Sequence, residues 1–136
     1  MPIHFEATYD ATPQEVFELL TSGEQFKAMT GMPAEITDRP GEAFSLFGGR
    51  IEGRQVELLP GERIVQAWRF GSEHDSPWDP GLYSILRFGL SPDGSGTRLT
   101  IDHDGIPEEW LEHLEAGYPQ FYLEPIAGYF AGRVAS

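Results

Sequence analysis

The sequence predicts an α+β domain in which an antiparallel sheet is covered on one face by helices. Three observations carry this. From 34 to 104, short runs of alternating apolar and polar residues are punctuated by Gly- and Pro-containing turns, the pattern of hairpin-linked strands with one wet face. A capped amphipathic segment follows the first strand. A long segment after Pro107 then repeats apolar residues every three or four positions. Helices segregated from a run of strands define this class, whereas a parallel sheet would alternate them.

The elements follow in order. Ile3, Phe5, Ala7 and Tyr9 alternate on one face of a first strand over 2–9. Thr12 suits an N-cap, Pro13 the first helical position and Glu15 the capping-box position three residues on. Val16, Phe17, Leu19 and Leu20 form the apolar stripe of that helix, which Gly23 is expected to end. Phe26, Ala28 and Met29 predict a short second helix over 24–30, stopped by Gly31 and Pro33. Short strands are expected over 34–37 and 43–47. In FSLFGGRIEG (44–53), Gly48-Gly49 supplies residues tolerant of positive φ, which predicts a two-residue hairpin turn in the middle of the sheet. Strands 50–59 and 63–70 flank Pro60-Gly61, residues 71–80 form a loop, and strands 82–90 and 97–104 flank the turn SPDGSG. Pro107 is expected at the first position of the last helix, with Glu108, Glu109 and Glu112 near its positive end. Pro119 and Pro125 each remove a helical hydrogen bond and predict a kink or break near 117–119.

At 136 residues the chain reads as one domain, 1–136, large enough for a genuine core. It carries 22 Asp and Glu against 9 Lys and Arg, a formal net charge of −13. That field repels phosphate backbones and anionic membrane surfaces, so neither nucleic acid nor membrane is an expected partner; the excess acid serves solubility. No apolar run approaches the ~18 residues of a membrane span, and MPIHFEATYD does not read as a secretory signal. With no cysteine there is no disulfide framework, thiolate metal site or cysteine nucleophile. A cytoplasmic location is expected.

The order of elements resembles the helix-grip (START-like, SRPBCC) fold, in which a curved antiparallel sheet wraps a long C-terminal helix. MTG (29–31), FSLFGGRIEG (44–53), ELLPGERIVQAWRF (57–70), GTRLTIDHDGIP (96–107) and GYPQFYLEPIAGYF (117–130) together resemble homologues of the activator of heat-shock protein 90 ATPase, specifically that activator's C-terminal domain. The likeness covers nearly the whole chain. It implies an internal cavity of the kind that the superfamily uses for lipids, polyketides and hormones, some members being cyclases or aromatases. It also implies a chaperone partner of the heat-shock protein 90 type. The eukaryotic activators grip that chaperone with a separate N-terminal domain as well, so this chain is expected to offer one of their two contacts.

Alternation assigns the interior of such a fold. Ile64, Gln66, Trp68 and Phe70 share a strand face, as do Ser84, Leu86 and Phe88, and Leu99, Ile101 and His103. Opposite them stand Leu114, Gly117, Tyr118, Phe121 and Tyr122 of the last helix. From Trp68 onward, all of these but Gln66 and Ile64 are candidate ligand-lining residues, and Trp78 is expected to close the pocket mouth. Most apolar stripes simply fill a core. Space is favoured by Gly117, since a mid-helix glycine costs ~1 kcal/mol against alanine, and by the polar tips of Ser84, His103, Tyr118 and Tyr122.

Other motifs carry little. His4, His74, His103 and His113 show no H-x-x-x-H spacing, and Glu73, His74, Asp75 and Asp79 read as an acidic loop rather than a metal site. DHDG (102–105) starts like a calcium loop but lacks the later ligands. GGRIEG lacks the Lys-Ser/Thr of a P-loop, and there is no G-x-S-x-G elbow. No metal, cofactor or catalytic dyad is expected. The leading expectation is a non-enzymatic module that binds a small apolar molecule. The alternative is a protein-interaction module stimulating a heat-shock protein 90-type ATPase. A third reading is a cyclase-, hydrolase- or isomerase-like enzyme, with His103, Tyr122 or Arg54 as acid/base or anchoring groups.

Overall fold

A computed structural model describes residues 3–71, 78–79 and 81–135. Strand β1 (Ile3–Tyr9) leads into helices α1 (Pro13–Thr21) and α2 (Gly23–Thr30). Strands β2 (Ala43–Leu46), β3 (Ile51–Leu59), β4 (Arg63–Phe70), β5 (Ser84–Asp93) and β6 (Gly96–Asp104) follow. The chain ends in α3 (Glu108–Tyr118), a π-helical turn (Pro119–Leu123) and α4 (Glu124–Ala135). All six strands form one antiparallel sheet in the order β1-β6-β5-β4-β3-β2.

Local chemistry accounts for the helix starts. Thr12 Oγ1 accepts from the Glu15 N–H at 3.2 Å, while the Glu15 carboxylate accepts from the Thr12 N–H at 2.9 Å, a complete capping box ahead of Pro13. Ser22, rather than Gly23, ends α1 and caps α2, its Oγ accepting from the Gln25 N–H at 3.2 Å. Pro107 is the N-cap of α3 and not its first helical residue.

The last helix lies across the inner face of the sheet. Tyr118 packs its ring 5.5 Å from Phe5 of β1, and Tyr122 lies 5.8 Å from Phe88 of β5. The Tyr9 hydroxyl donates to the Leu123 carbonyl at 3.1 Å, and burial pushes its pKa up to about 12. Between the two layers are the fully buried Ile3, Ile64, Leu86, Leu99, Ile101 and Ile126.

Three expectations are corrected. Residues 34–37 form no strand: only Glu35 bridges, exchanging bonds of 2.7 and 2.9 Å with Ser45. The Ile36 carbonyl accepts from the Gly23 N–H at 3.1 Å and the Thr37 carbonyl from Gln55 Nε2 at 2.9 Å, so the ladder to β2 does not continue before Pro40 and Gly41 turn the chain. The hairpin of β2 and β3 lies at the sheet edge rather than in its middle, because strand alternation reports which face is wet and not which neighbour is missing. Its connection is also longer than two residues. Leu46 pairs with Ile51, so residues 47–50 make the turn, with φ of 54° at Phe47, 68° at Gly48 and 92° at Gly49. A left-handed phenylalanine is disfavoured by roughly 1–2 kcal/mol. Its ring offsets this by packing edge-on to Phe26, Phe121 and Tyr122 at 5.6–5.8 Å.

The expected break near 117–119 takes another form. Tyr118 and Pro119 keep helical φ and ψ, and the Glu124 N–H bonds the Pro119 carbonyl five residues back. A widened turn relieves the proline clash without ending the helix.

Candidate functional site: a half-open aromatic cleft

The π-turn sets the geometry of the site. It turns Tyr122 inward, 4% exposed, and leaves Phe121 at the surface, 41% exposed. Between this turn, α3 and the start of β3 lies a cavity of about 170 Å³ that opens to solvent on one side. The turn after β2 and strand β3 contribute Phe47, Arg50 and Ile51, and β4 contributes Trp68 and Phe70. His113, Leu114, Gly117 and Tyr118 of α3, Phe121 and Tyr122 of the π-turn, and Met32 complete the lining.

One close approach holds the wall in place. Gly53 pairs with Trp68 across β3 and β4, and a Cβ there would fall 1.9 Å from the Ala67 carbonyl oxygen and 2.7 Å from Phe44 Cζ. No residue but glycine fits between the Phe44 ring and the neighbouring strand. Gly117 differs: its added Cβ would meet only the Phe121 ring, at 3.4 and 3.8 Å. The space over Gly117 is cleft.

Of the residues that alternation assigned to the interior, the structure brings Trp68, Phe70, Leu114, Gly117, Tyr118, Phe121 and Tyr122 together at the cleft. Ser84, Leu86, Phe88, Leu99, Ile101 and His103 do not line it. They face inward and are at most 1% exposed, but belong to the filled part of the core under β5 and β6. Trp78 is not at the mouth. It is buried behind the wall, its ring 6.0 Å from Trp68 and 5.3 Å from Phe70. Glu73, His74 and Asp75 lie outside the described residues. Among the described residues, no cluster of three His, Asp or Glu is arranged to hold a metal ion.

Ser84, His103 and Tyr118 do meet, in a closed relay. Ser84 Oγ donates to the Trp68 carbonyl at 2.8 Å, so its one proton is committed. His103 Nε2–H must then donate to Ser84 Oγ at 2.7 Å, leaving Nδ1 to accept from the Tyr118 hydroxyl at 2.5 Å. This hydrogen-bond logic assigns the Nε2–H tautomer. Burial lowers the His103 pKa to about 3 and raises that of Tyr118 well above its usual value, with Tyr122 adding to the latter. A serine whose neighbour is already protonated has no base to activate it. The relay is structural, and His103 offers no acid/base group to the cleft. Arg54, the other residue considered for such a role, lies on the exposed face and donates to the Gly41 carbonyl at 3.0 Å.

Tyr122 is different. Burial pushes its pKa up, and the facing Trp68 indole N–H partly offsets this. Yet neither the Tyr122 hydroxyl nor the Trp68 Nε1 makes a hydrogen bond of proper geometry. Two such groups cost roughly 1–3 kcal/mol each while unsatisfied. Both side chains belong to the cleft lining.

Alternation along β4 does not reveal Arg69, because it points to the face opposite Trp68. It is 6% exposed. Its guanidinium donates to the carbonyls of Asp79 (3.0 Å), Leu82 (3.1 Å), Trp78 (3.4 Å) and Phe70 (3.2 Å), and Glu52 lies 3.5 Å away. This cradle pins Trp78 behind the cleft wall. Its only sequence signal is an arginine set between two aromatic residues, Trp68 and Phe70, just before a loop.

Comparison with known proteins agrees with this architecture. Residues 10–131 match the family described as Activator of Hsp90 ATPase homolog 1-like protein. Among curated relatives, the Homo sapiens activator of 90 kDa heat shock protein ATPase homolog 1 is 27% identical over 91% of this chain, and its Dictyostelium discoideum homologue is 29% identical over 90%. The chain spans about a third of the length of these relatives, 35% and 31% respectively. Among solved structures, an HSP90 activator from Plasmodium falciparum superposes with a TM-score of 0.81 at 27% identity, covering 93% of both chains. An Aha1 dimer from Colwellia psychrerythraea shares the fold at a TM-score of 0.77 and 15% identity, covering 96% of both chains. With nine-tenths of its length matched, this chain belongs to the Activator of Hsp90 ATPase homolog 1-like family.

Proposed function

We propose that this chain is a docking module that stimulates the ATPase of a chaperone of the 90 kDa heat-shock type. The observation that carries the reading is the likeness to the Plasmodium falciparum HSP90 activator, which runs the length of both chains. The surface beside the cleft supports it. Phe121 stands exposed on the rim, next to a helix α3 whose Glu108, Glu109, Glu112 and Glu115 face solvent. An exposed aromatic anchor within a charged surround is how docking energy is commonly concentrated. The acidic surround fits a partner face rich in Lys and Arg. Stimulation then requires tighter binding to the ATPase-competent state than to the resting one. The test is the steady-state ATPase rate of the host's 90 kDa heat-shock protein during titration with this chain. A saturable rise that Phe121→Ser weakens is expected. No rise at saturation would remove the reading.

A second reading is favoured by the unsatisfied Trp68 and Tyr122 groups: the cleft takes a small molecule. Mostly apolar pockets with a few convergent polar groups are the usual form of such sites. An apolar fluorescent probe should bind the chain and lose binding in Gly117→Leu, which fills the cleft. Retained binding in that variant would place the ligand elsewhere.

A further inference from the structure

We propose that the cleft selects a single-ring aromatic molecule with an oxygen at its buried end and an anionic group at its open end, the chemistry of a hydroxyaryl carboxylate. This rests on the second reading above, that the cleft holds a small molecule, and it adds the ligand's class.

Size comes first. An engineered cavity of about 150 Å³ holds benzene. The cleft, at about 170 Å³, has room within its walls for one ring and a few further atoms. Phe47, Trp68 and Phe121 supply ring faces and edges for such a body.

The buried end comes second. The Trp68 indole can only donate, and the Tyr122 hydroxyl can donate or accept. Either a ligand oxygen accepts from both, or Tyr122 accepts from Trp68 and donates onward. An acceptor oxygen on the ligand serves either arrangement and would satisfy both of these cleft-lining groups.

The open end comes third. In a chain with 22 acidic residues, no Asp or Glu lines the cleft, while Arg50 and His113 do. Arg39, Arg63, Arg69, Arg87 and Arg98 all pair with carboxylates, and Arg54 bonds a carbonyl. Among the described side chains, the Arg50 guanidinium alone of the arginines has neither. An unpaired, exposed arginine at the mouth of an apolar cleft is a ready carboxylate site, with donors in a planar fork.

The test is calorimetric titration of the intact chain with 4-hydroxybenzoate, benzoate and phenol. We expect 4-hydroxybenzoate to bind one-to-one and at least tenfold more tightly than either comparator. Tyr122→Phe removes one of the two groups that face the ligand oxygen and should cut the preference for 4-hydroxybenzoate over benzoate severalfold. Arg50→Gln should make 4-hydroxybenzoate and phenol bind alike and abolish the salt dependence. Thermal unfolding of each variant checks that it is folded, and Arg50, being exposed, keeps the test open should Tyr122→Phe unfold. If the three probes bind equally, or the preferences survive both variants, the ligand class is wrong while the cleft reading stands. If none binds and the apolar fluorescent probe also fails, the cleft reading itself falls.

Discussion

Replacing His103 with Gln should make the protein's stability less sensitive to acid. In the folded protein His103 is fully buried, donates to Ser84 and accepts from Tyr118, and burial lowers its pKa from 6.5 to about 3. The sign follows from proton counting. Between those two values the unfolded chain binds a proton that the folded chain refuses. Stability contributed by the neutral ring is therefore complete above about pH 6.5 and is lost as pH falls towards 3. At about 1.4 kcal/mol per pH unit, acidification from pH 7 to 4.5 costs the wild type about 2.5 kcal/mol from this group.

A glutamine amide can keep both bonds, its N–H₂ facing Ser84 and its oxygen facing Tyr118, and it does not titrate. It loses the edge-to-face contact with Trp68 at 4.7 Å, so a uniform loss of about 1 kcal/mol is expected at pH 7. Urea unfolding of both proteins at pH 7 and pH 4.5 measures the difference. Carboxylates titrate in both chains and cancel. The wild type should lose about 2.5 kcal/mol more than the variant over that interval. Equal losses would show that His103 is not held neutral and that the relay has been misread. Should the glutamine variant not fold, Tyr118→Phe removes the donor to Nδ1 and should shift the same limb.

Three further outcomes are expected. Gly117→Ala should stabilise the chain by about 0.5–1 kcal/mol in urea melts, because its Cβ finds only ordinary contact with Phe121 and the helix gains propensity. Gly53→Ala should destabilise by about 1–3 kcal/mol or more, since its Cβ would lie 1.9 Å from the Ala67 carbonyl oxygen. Arg69→Lys cannot reach four carbonyls with one ammonium; a loss of about 2–3 kcal/mol and a red-shifted tryptophan emission should report release of Trp78.

The fold was largely legible because its signals are local. Thr12-Pro13-x-Glu15 wrote its own capping box, and period-two alternation placed Trp68, Ser84, Leu86 and His103 on the inner face. Where the reading failed, a long-range partner decided the outcome. Residues 34–37 have strand-like composition, but the Ile36 carbonyl accepts from the Gly23 N–H and the Thr37 carbonyl from the Gln55 side chain, so the ladder stops at Glu35. Two glycines promised a two-residue turn; the left-handed Phe47 joined them because three aromatic rings hold it there. Pro119 signalled trouble in the helix, yet whether a helix breaks or widens depends on what its far half packs against. Here Ile126 and Phe130 are buried in the core, which favours continuing the helix.

The candidate site shows the same limit more sharply. Alternation identifies the residues that face in, but it cannot separate those that fill the interior from those that border empty space. Leu86, Ile101 and His103 filled it; Trp68, Gly117 and Tyr122 bordered it. Nor can a sequence show which polar groups end up satisfied. Ser84, His103, Tyr118 and Tyr122 look equivalent as inward polar tips, and the structure divides them: the first three close on one another, and Tyr122 stays unbonded beside Trp68. Arg50 is one arginine among several until the partners of the others are known. Arg50 and Tyr122 stand apart through the partners they lack among the described residues, and a missing partner is a property of the folded chain that no local pattern encodes.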